Sequence, residues 1–552
     1  MITLVVHGYQ FGQSNHSVYL IDALRRADPT LLANDWFYTQ TLQYHSVFGW
    51  VAAFLLKLGI LEPAFLTIYL GLIAAMHTAW RSLMLAIGGD DRAYLLSAIL
   101  YYISAGGIGL GTYQFLQDSA VLASNIANVA MLCGIAAYVR GRWLTAAAGL
   151  SLAGLMHANH AVVSMLLWTV FAVARNRAVL TRWFETRFML ASVVVAAGCL
   201  LNLVPAVVAK LGHPGSMPLD QFVDIYVRLR HPHHYDPSSW SWAQWLAFGF
   251  WIPPAVIAAM FLRRDRSGED RLTRFFVVLL SIMLLQGIAL VFAGWIYVSE
   301  TLIQLSLFRF SIFAHLMMVM LTAVLLSRLR FVAWALPVCL AIALAVTLAS
   351  PFANVAKQRI GPLVSMICLA AVPAVLPVLS RQRWPTAVLL LALCGTLWVA
   401  FDRVTGLTRP YSVVDPDYIA LCRWSSDEAN VPRDAIILTP PTDEDFRWTA
   451  RRAIVVNWKS VPQLAGELPA WVARMSDSLG WPNLDPVPRQ SYISAIQTMQ
   501  LRYDELTAEQ YLNAARKYGA AFFVAARDLG PEMESKRASP VFGRYRLYAA
   551  SR

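Results

Sequence analysis

Long uncharged runs of apolar residues recur through the first three quarters of the chain. Three of them are SVVVAAGCLLNLVPAVVA, FVVLLSIMLLQGIALVFAGW and FVAWALPVCLAIALAVTLA. A helix of about 20 apolar residues crosses a hydrocarbon core about 30 Å thick. Only helices and closed barrels satisfy their backbone polar groups there, and these runs lack the alternation of barrel strands. The sequence therefore predicts a polytopic α-helical membrane protein, in keeping with 58% hydrophobic and 14% charged residues.

The apolar runs predict about 12–13 transmembrane helices. The opening MITLVVHGYQFG reads as the tail of one helix, too short to span and unlike a secretory signal. The two runs on either side of MHANH, 143–156 and 160–174, are short for helices that cross the whole membrane. They could instead form a shallow hairpin. The twelve further runs lie near residues 63–80, 93–111, 120–139, 143–156, 160–174, 188–210, 242–262, 275–294, 310–327, 331–350, 363–379 and 386–402.

Basic loops between the runs predict the orientation. VRGRW, ARNRAVLTRWFETR, RRDRSGEDRLTR, SRLR and SRQRW carry much of the +12 net charge and are expected to face the cytoplasm. This topology signal explains the basic excess without a nucleic-acid partner. Two outer loops follow, 9–62 and 211–241. The first is expected to hold helical pieces at 17–27 and 45–58, the second of which lies on the outer leaflet.

The chain divides into two predicted domains. Residues 1–402 form the polytopic transmembrane domain. Residues 403–552 have ordinary polarity and alternate apolar strands such as AIILTPP, AIVVNW and AAFFVAA with helices such as PAWVARMSDSLG and TAEQYLNAARKYG. We expect them to form an extracytoplasmic α/β domain. Its FRWTARRAIVVNWKSVP segment offers four cations to an acceptor glycan or the membrane surface, or simply to solvent: Arg447, Arg451, Arg452 and Lys459.

The ten residues RLRHPHHYDP, 228–237, concentrate titratable side chains in the second outer loop. Clustered histidines beside arginine and aspartate are the composition of metal and anion sites, although this spacing is no standard zinc motif. The alternative is that histidine tolerates membrane interfaces. The phosphate-binding candidates are Arg228, Arg230, Arg309, His231, His233, His234 and Tyr235, and His157 and His160 form a second candidate site on the same face.

Asp35 in LLANDWFYTQ and Asp28 in ADPT are the candidate catalytic acids. A carboxylate at the membrane surface is partly desolvated, which raises its pKa and makes it a better base. Both aspartates also suit plain turns. Arg309, at the outer end of a span, needs an anion or snorkels to the interface. With Arg228 and Arg230 it could clamp a lipid phosphate.

The chain resembles the C-type glycosyltransferase (GT-C) superfamily, and more narrowly a bacterial family of polytopic membrane proteins of that type. The resemblance covers nearly the whole chain. It rests on the two-helix first outer loop, the RGR loop before a histidine hairpin, the C-terminal domain, and the segments GYQFGQSNHS, DPTLLANDWF, GLMHANHAVV, RHPHHYDP, LSLFRFS and AIILTPPTDEDFRWTARRAIVVNWKSVP.

The resemblance implies transfer of a sugar from a polyprenyl-phosphate donor to a glycan, lipid or protein acceptor. Asp35, or Asp28, would act as the base. The arginines and the histidine group would contact the donor phosphate. A divalent metal (Mg, Mn or Zn) could join them, with His233, His234 and Asp35 as possible ligands. The expected location is the bacterial inner membrane, with the C-terminal domain on the periplasmic side.

Two other classes of function remain open on the sequence. A transporter or flippase of a lipid-linked or anionic solute would also gather polar residues between helices, but near the bilayer midplane and often with an internal repeat. The halves show no convincing repeat. A non-catalytic membrane scaffold would tolerate replacement of Asp35 and the histidines.

Overall fold

A computed structural model describes most of the chain. The described residues are 2–12, 15–43, 45–104, 110, 116–175, 186–212, 215, 217–263, 269–328, 415–489 and 491–550. The spans predicted near 331–350, 363–379 and 386–402 lie outside these residues. So does His213.

The described part of the transmembrane domain is helical. Its α-helices, α1 to α17, are Ile2–His7, His16–Ala27, Trp36–Gln40, Ser46–Lys57, Leu61–Ala86, Asp91–Ser104, Ala123–Val139, Trp143–Met156, Ala158–Arg175, Thr186–Gly212, Leu219–Phe222, Pro232–Tyr235, Trp242–Gly249, Ile252–Leu262, Glu269–Leu290, Glu300–Gln304 and Ser311–Arg328. Two π-helical stretches, Val223–Arg230 and Val291–Trp295, and two 3-10 turns, Pro237–Ser239 and Leu307–Phe310, interrupt the series.

Four of the described helices are long and apolar enough to cross a membrane: Leu61–Ala86, Thr186–Gly212, Asp270–Trp295 and Glu300–Arg328. Shorter apolar helices accompany them, including Ala123–Val139, Trp143–Met156 and Ala158–Ala174. The apolar part of Glu300–Arg328 is 89% buried, whereas that of Thr186–Gly212 is only 28% buried. The protein is thus a multi-pass helical membrane protein, with one span in its core and another along its lipid-facing side.

The run predicted as one span at 242–262 is two helices, α13 and α14. The chain breaks at Phe250 and Trp251, immediately before Pro253 and Pro254 near the start of α14. Proline lacks a backbone N–H and fits the first turn of a helix but not its interior. The two prolines therefore begin a new helix where the hydropathy alone suggested continuity.

The two helical pieces predicted in the first outer loop are confirmed as α2 and α4, which pack against each other. Trp50 and Phe54 project from α4 with more than half of their surface exposed. The Arg26 guanidinium lies 4.9 Å from the Trp50 ring centroid. Exposed aromatic side chains of this kind suit the interfacial helix that the sequence predicts.

The described part of the C-terminal region folds as an α/β domain. Strands β1 to β4 are Ile436–Leu438, Ala453–Ile454, Phe522–Ala525 and Arg546–Ala549. They form one sheet in the order β2-β1-β3-β4, with β4 antiparallel to β3 and the other neighbours parallel. Helices α18 to α23 are Pro416–Ser426, Phe446–Ala450, Leu468–Ser478, Tyr492–Asp504, Ala508–Lys517 and Pro531–Glu534, with a 3-10 turn at Ala465–Glu467.

One apolar core joins the C-terminal domain to the outer loops. Phe37 and Leu24 from the first loop and Tyr226 from the second belong to the same buried cluster as Trp458 and Trp471. Burial of apolar surface is the main driving force for such association. The C-terminal domain is thereby docked onto the outer loops, and this docking positions the site described next.

Candidate functional site

A cavity of about 400 Å³ lies where the start of α9, the end of α10, the loops 9–62 and 211–241 and the C-terminal domain meet. Its polar lining residues are Asn15, Tyr19, Asp22, Gln43, His45, His157, Asn159, Lys210, Tyr226, Arg230, His231, His233, His234, Tyr235, Gln304, Ser306, Arg309, Lys459, Gln463 and Tyr492. Segments separated by more than 400 residues in sequence therefore share one chamber.

The cavity lining is cationic. Four basic side chains, Lys210, Arg230, Arg309 and Lys459, line it, and the carboxylate among its lining residues is Asp22. The Asp22 carboxylate accepts a hydrogen bond of 2.7 Å from Arg26 Nε. Positive charges gathered between low-dielectric walls attract an anion strongly. The lining therefore favours a negative group, with Lys210 paired to Glu300 and Lys459 paired to Glu444.

Arg230 lines this cavity. Its side chain is 5% exposed. Its Nε donates to the Trp458 carbonyl at 2.8 Å, and its guanidinium lies 5.3 Å from the ring centroids of both Trp458 and Tyr492. Burial lowers the pKa of Arg230. Within the described residues no carboxylate lies at ion-pair distance from it. A buried cation held by carbonyls and aromatic faces is costly without an anion, which makes Arg230 the central anion-binding candidate.

Arg309 enters the cavity from the 3-10 turn Leu307–Phe310. The preceding Ser306 has φ 51°, a left-handed conformation that is costly for a residue other than glycine. The Ser306 hydroxyl is hydrogen-bonded to the Tyr235 hydroxyl, which ties this turn to the second outer loop. Backbone strain of this kind tends to occur at functional sites. The turn fixes Arg309 beside the histidine loop.

Burial disfavours the charged form of three histidines of the cavity, His45, His231 and His233. Burial and the charges of Arg230 and Arg309 lower the pKa of His233 to about 3. Burial, followed by Arg309, lowers the pKa of His45 to about 3. The His231 Nδ1 donates to the Tyr226 carbonyl at 3.0 Å, and burial lowers its pKa as well. These rings therefore offer neutral hydrogen-bonding groups beside fixed cations.

The C-terminal domain supplies part of the cavity lining. Lys459 Nζ lies 2.7 Å from Glu444 Oε2, and Gln463 Oε1 accepts from the Tyr226 hydroxyl at 3.0 Å. Gln304 donates to the Gln463 carbonyl. The sequence offered Lys459 to an acceptor glycan, the membrane surface or solvent, but the structure places it in the cavity. Lys210, Gln463 and Tyr492 were not predicted as site residues, because no local motif marks contacts between segments distant in sequence.

Asp35, the predicted base, does not line the cavity. It is fully buried, with Oδ2 2.8 Å from Arg447 Nε and Oδ1 3.2 Å from Arg447 Nη2. It also accepts from the backbone of Ile454 at 3.2 Å and of Tyr38 at 3.4 Å. Every contact is structural: the carboxylate caps α3 and ties it to the C-terminal domain. Arg447 is thus neither on the surface nor directed at an acceptor.

Asp28 likewise lies outside the cavity. Its carboxylate accepts hydrogen bonds from Thr30 and pairs with Arg433 at a partly exposed position.

Arg228 is exposed and does not line the cavity. The other predicted phosphate ligands do line it: Arg230, Arg309, His231, His233, His234 and Tyr235. His157 lines it, whereas His160 is buried beside it and hydrogen-bonded to Asn128 at 2.8 Å. The Arg452 side chain is buried and donates hydrogen bonds to the backbone carbonyl of Val431 in its own domain.

The residues do not fit the expected metal site. Among the residues that the structure describes, no three histidine, cysteine or acidic side chains are grouped as metal ligands. The His233 and His234 rings are 4.0 Å apart, but the third predicted ligand, Asp35, is held by Arg447. The charge that a divalent cation would supply is present here as arginine and lysine.

Known proteins similar to this chain include a family of domains and a solved structure. Residues 416–478 match the family model described as a domain of unknown function (DUF6798). No curated protein matches the chain significantly. Among solved structures, ArnT from Cupriavidus metallidurans bound to undecaprenyl phosphate is similar at 14% identity and a TM-score of 0.49, over 100% of this chain and 96% of that one. Similarity at this level carries no argument about chemistry.

Fold and site together define a class: a multi-pass helical membrane protein whose C-terminal α/β domain covers a cation-lined cavity.

Proposed function

We propose that this protein is a membrane glycosyltransferase that takes a sugar from a polyprenyl-phosphate donor and passes it to an extracytoplasmic glycan, lipid or protein. The observation that carries the proposal is the cavity itself. It gathers Lys210, Arg230, Arg309 and Lys459 at the outer end of apolar helices. A lipid-linked phosphate combines the same two properties, a negative head group and an apolar chain at the membrane surface.

The arginines suit the leaving group of such a transfer. When the bond between the sugar and the phosphate oxygen breaks, negative charge develops on the lipid phosphate. Preorganised cations in a site shielded from water stabilise that charge strongly. Arg230 is held in place by the Trp458 carbonyl and two aromatic rings, so it needs little rearrangement to bind phosphate.

Asp22 is the acid in the cavity best placed to serve as the base. Burial raises its pKa, and a raised carboxyl pKa favours proton removal from an acceptor hydroxyl. The neutral histidines are weaker candidates, because a pKa of about 3 at His45 or His233 makes a poor base. Asp22 therefore takes the role that the sequence predicted for Asp35. The donor and the acceptor would meet between Asp22 and Arg230.

Binding of undecaprenyl phosphate to the purified protein in lipid nanodiscs tests the phosphate site. Arg230→Gln removes the central buried cation, and we expect it to weaken binding about tenfold or more, as for loss of a charge-assisted contact. Native mass spectrometry measures the bound fraction. Arg423→Gln, an exposed arginine of the C-terminal domain, is the matched control. Equal binding by the wild type, the variant and the control would contradict the proposal.

Transfer is then tested with a polyprenyl-phosphate sugar labelled in the sugar. We expect Asp22→Asn to retain lipid-phosphate binding and to lose transfer by about 100-fold or more, the size of a general-base contribution. Lipid-phosphate binding without any transfer by the wild type would favour a carrier or scaffold role instead.

A further inference from the structure

Four arginines converge at the helix ends that lie opposite to the cavity, and we call them the arginine cluster. Arg140 and Arg142 flank the turn from α7 to α8, and Arg271 and Arg274 lie in the first two turns of α15. Helix α8 ends beside His157, which lines the cavity, so the turn before α8 lies on the far side of the protein from the cavity. The basic loops predict that this face is cytoplasmic.

A glycine turn holds the cluster together. The Arg142 N–H donates to the Ala137 carbonyl at 2.8 Å, which closes the end of α7 and requires the left-handed φ of 76° at Gly141. A Cβ on Gly141 would lie 2.7 Å from Arg274 Nη1. The Arg274 guanidinium therefore packs directly on the turn that carries Arg140 and Arg142.

Arg140 is anchored on α5 and lies close to the other cations. Its Nε and Nη2 donate to the Ser82 carbonyl at 3.3 and 3.1 Å. Burial lowers the pKa of Arg140, and the charges of Arg142 and Arg271 lower it further. The members of the cluster are thus near enough to repel one another.

The described part of the chain gives the arginine cluster no counter-charge. Asp91, on the same face, pairs instead with Arg81, whose Nε lies 2.7 Å from its carboxylate. Asp270, the sequence neighbour of Arg271, lies beyond ion-pair distance of it. Like charges at close range repel, and an anion placed between them relieves that repulsion. The cluster therefore favours an anion from outside the protein.

Aromatic and apolar side chains adjoin the cluster on the membrane side. Trp143 directly follows Arg142, is partly buried, and lies 5.8 Å from Phe188 between ring centroids. Tryptophan is enriched where the lipid head groups meet the acyl chains. Leu144 and Leu280 are exposed on the apolar helices α8 and α15. A phospholipid on the cluster would lay its acyl chains over such side chains, whereas a free phosphate would use none of them.

We infer that the arginine cluster binds the head group of an anionic phospholipid, with the acyl chains along α8 and α15. Basic pockets between transmembrane helices on the cytoplasmic side bind such head groups. The positive-inside rule requires only basic charge in the loops, and it does not require four arginines to converge on one turn. Planar guanidinium groups share a phosphate through charge-assisted hydrogen bonds. The cluster lies away from the cavity, so its test does not depend on sugar transfer.

Titration of the detergent-purified protein with dioleoyl phosphatidylglycerol, followed by native mass spectrometry, tests the site. We expect Arg142→Gln and Arg271→Gln each to weaken lipid binding about fivefold. Both side chains are exposed and neither forms an ion pair with the described residues, so neither substitution removes a contact that the fold needs. Arg92→Gln is the matched control, because it removes an exposed arginine of α6 on the same face. We expect it to leave lipid binding unchanged.

Two further probes distinguish the head group from the acyl chains. Dioleoyl phosphatidylcholine has the same chains and no net charge, and equal affinity for the two lipids would overturn the assignment. The soluble sn-glycerol 3-phosphate has the phosphate without the chains, and we expect it not to displace the lipid at equal concentration. Displacement would show that the site takes a free phosphate instead. Equal weakening by Arg92→Gln and by the two cluster substitutions would show that only the total charge of this face matters, and would also overturn the assignment.

Discussion

Arg230 and Arg447 are both buried, but they meet different partners. Arg447 holds the Asp35 carboxylate in a bidentate ion pair, so both charges are satisfied within the protein. Arg230 is held by a carbonyl and two rings and opens onto the cavity. Removal of one partner of a buried pair leaves an uncompensated charge. A buried cation that has no carboxylate partner in the protein can instead be neutralised by an anionic ligand. Arg447 therefore has a structural role, and Arg230 is the candidate for anion binding.

Asp35→Asn tests the structural role at this scale. The substitution leaves the Arg447 guanidinium buried and unneutralised, and we expect it to lower the free energy of unfolding by about 3–5 kcal/mol. Thermal unfolding in detergent measures the loss. The double variant with Arg447→Met removes both charges, so it should recover much of the stability. An Asp35→Asn protein of normal stability that binds donor but fails to transfer would restore the catalytic role predicted from the sequence.

At the scale of elements, the lengths of the apolar runs and the residues typical of turns predicted most of the helices and strands. The interfacial helix at 45–58, the loop helix at 17–27, and the strands in AIILTPP and AAFFVAA are each found where the sequence predicts them. The prediction of one continuous helix at 242–262 was wrong, because hydropathy alone does not show that Pro253 and Pro254 begin a new helix. The contact of Asp35 could not be predicted for another reason: Asp35 meets Arg447 across 412 residues, and no local pattern encodes such a contact.

The loop between β1 and α19 gives a pH-dependent prediction. Burial raises the pKa of Asp443 to about 7, although the backbone N–H groups of Asp445 and Phe446 donate to its carboxylate. Since the folded-state pKa lies above the unfolded value of 3.8, the stabilisation from this group is complete below that value. It is lost as the pH rises towards about 7.

Asp443→Asn removes this titration and keeps a side-chain acceptor for the loop. We expect the variant to be more stable than the wild type at pH 8, where the wild-type carboxylate is charged, and to lose that advantage as the pH falls towards 4. Each pKa unit corresponds to about 1.4 kcal/mol. Unfolding midpoints across this pH range check the trend. A constant difference between the two proteins at every pH would contradict it.

At the scale of the whole molecule, the docked C-terminal domain completes the site. Lys459, Gln463 and Tyr492 reach the cavity from that domain. Gly466 and Gly215 meet at the same interface, where a Cβ on Gly466 would lie 2.7 Å from Gly215 Cα. Two backbones this close leave no room for a side chain.

Gly466→Ala therefore tests whether docking builds the site. We expect the added methyl to push the domain from the second outer loop, to cost about 1–3 kcal/mol as overpacking does, and to weaken binding of undecaprenyl phosphate. Gly249→Ala is the control, because a Cβ there meets no atom within 4 Å. If Gly466→Ala binds the lipid phosphate as the wild type does, the cavity does not depend on the docked domain.

The most direct test of the account is a cryo-EM structure of the protein in nanodiscs with undecaprenyl phosphate. We expect density for the phosphate inside the cavity, within hydrogen-bonding distance of Arg230 and Arg309. Density for the lipid only outside the protein, with these arginines closed onto other protein groups, would contradict the proposed site.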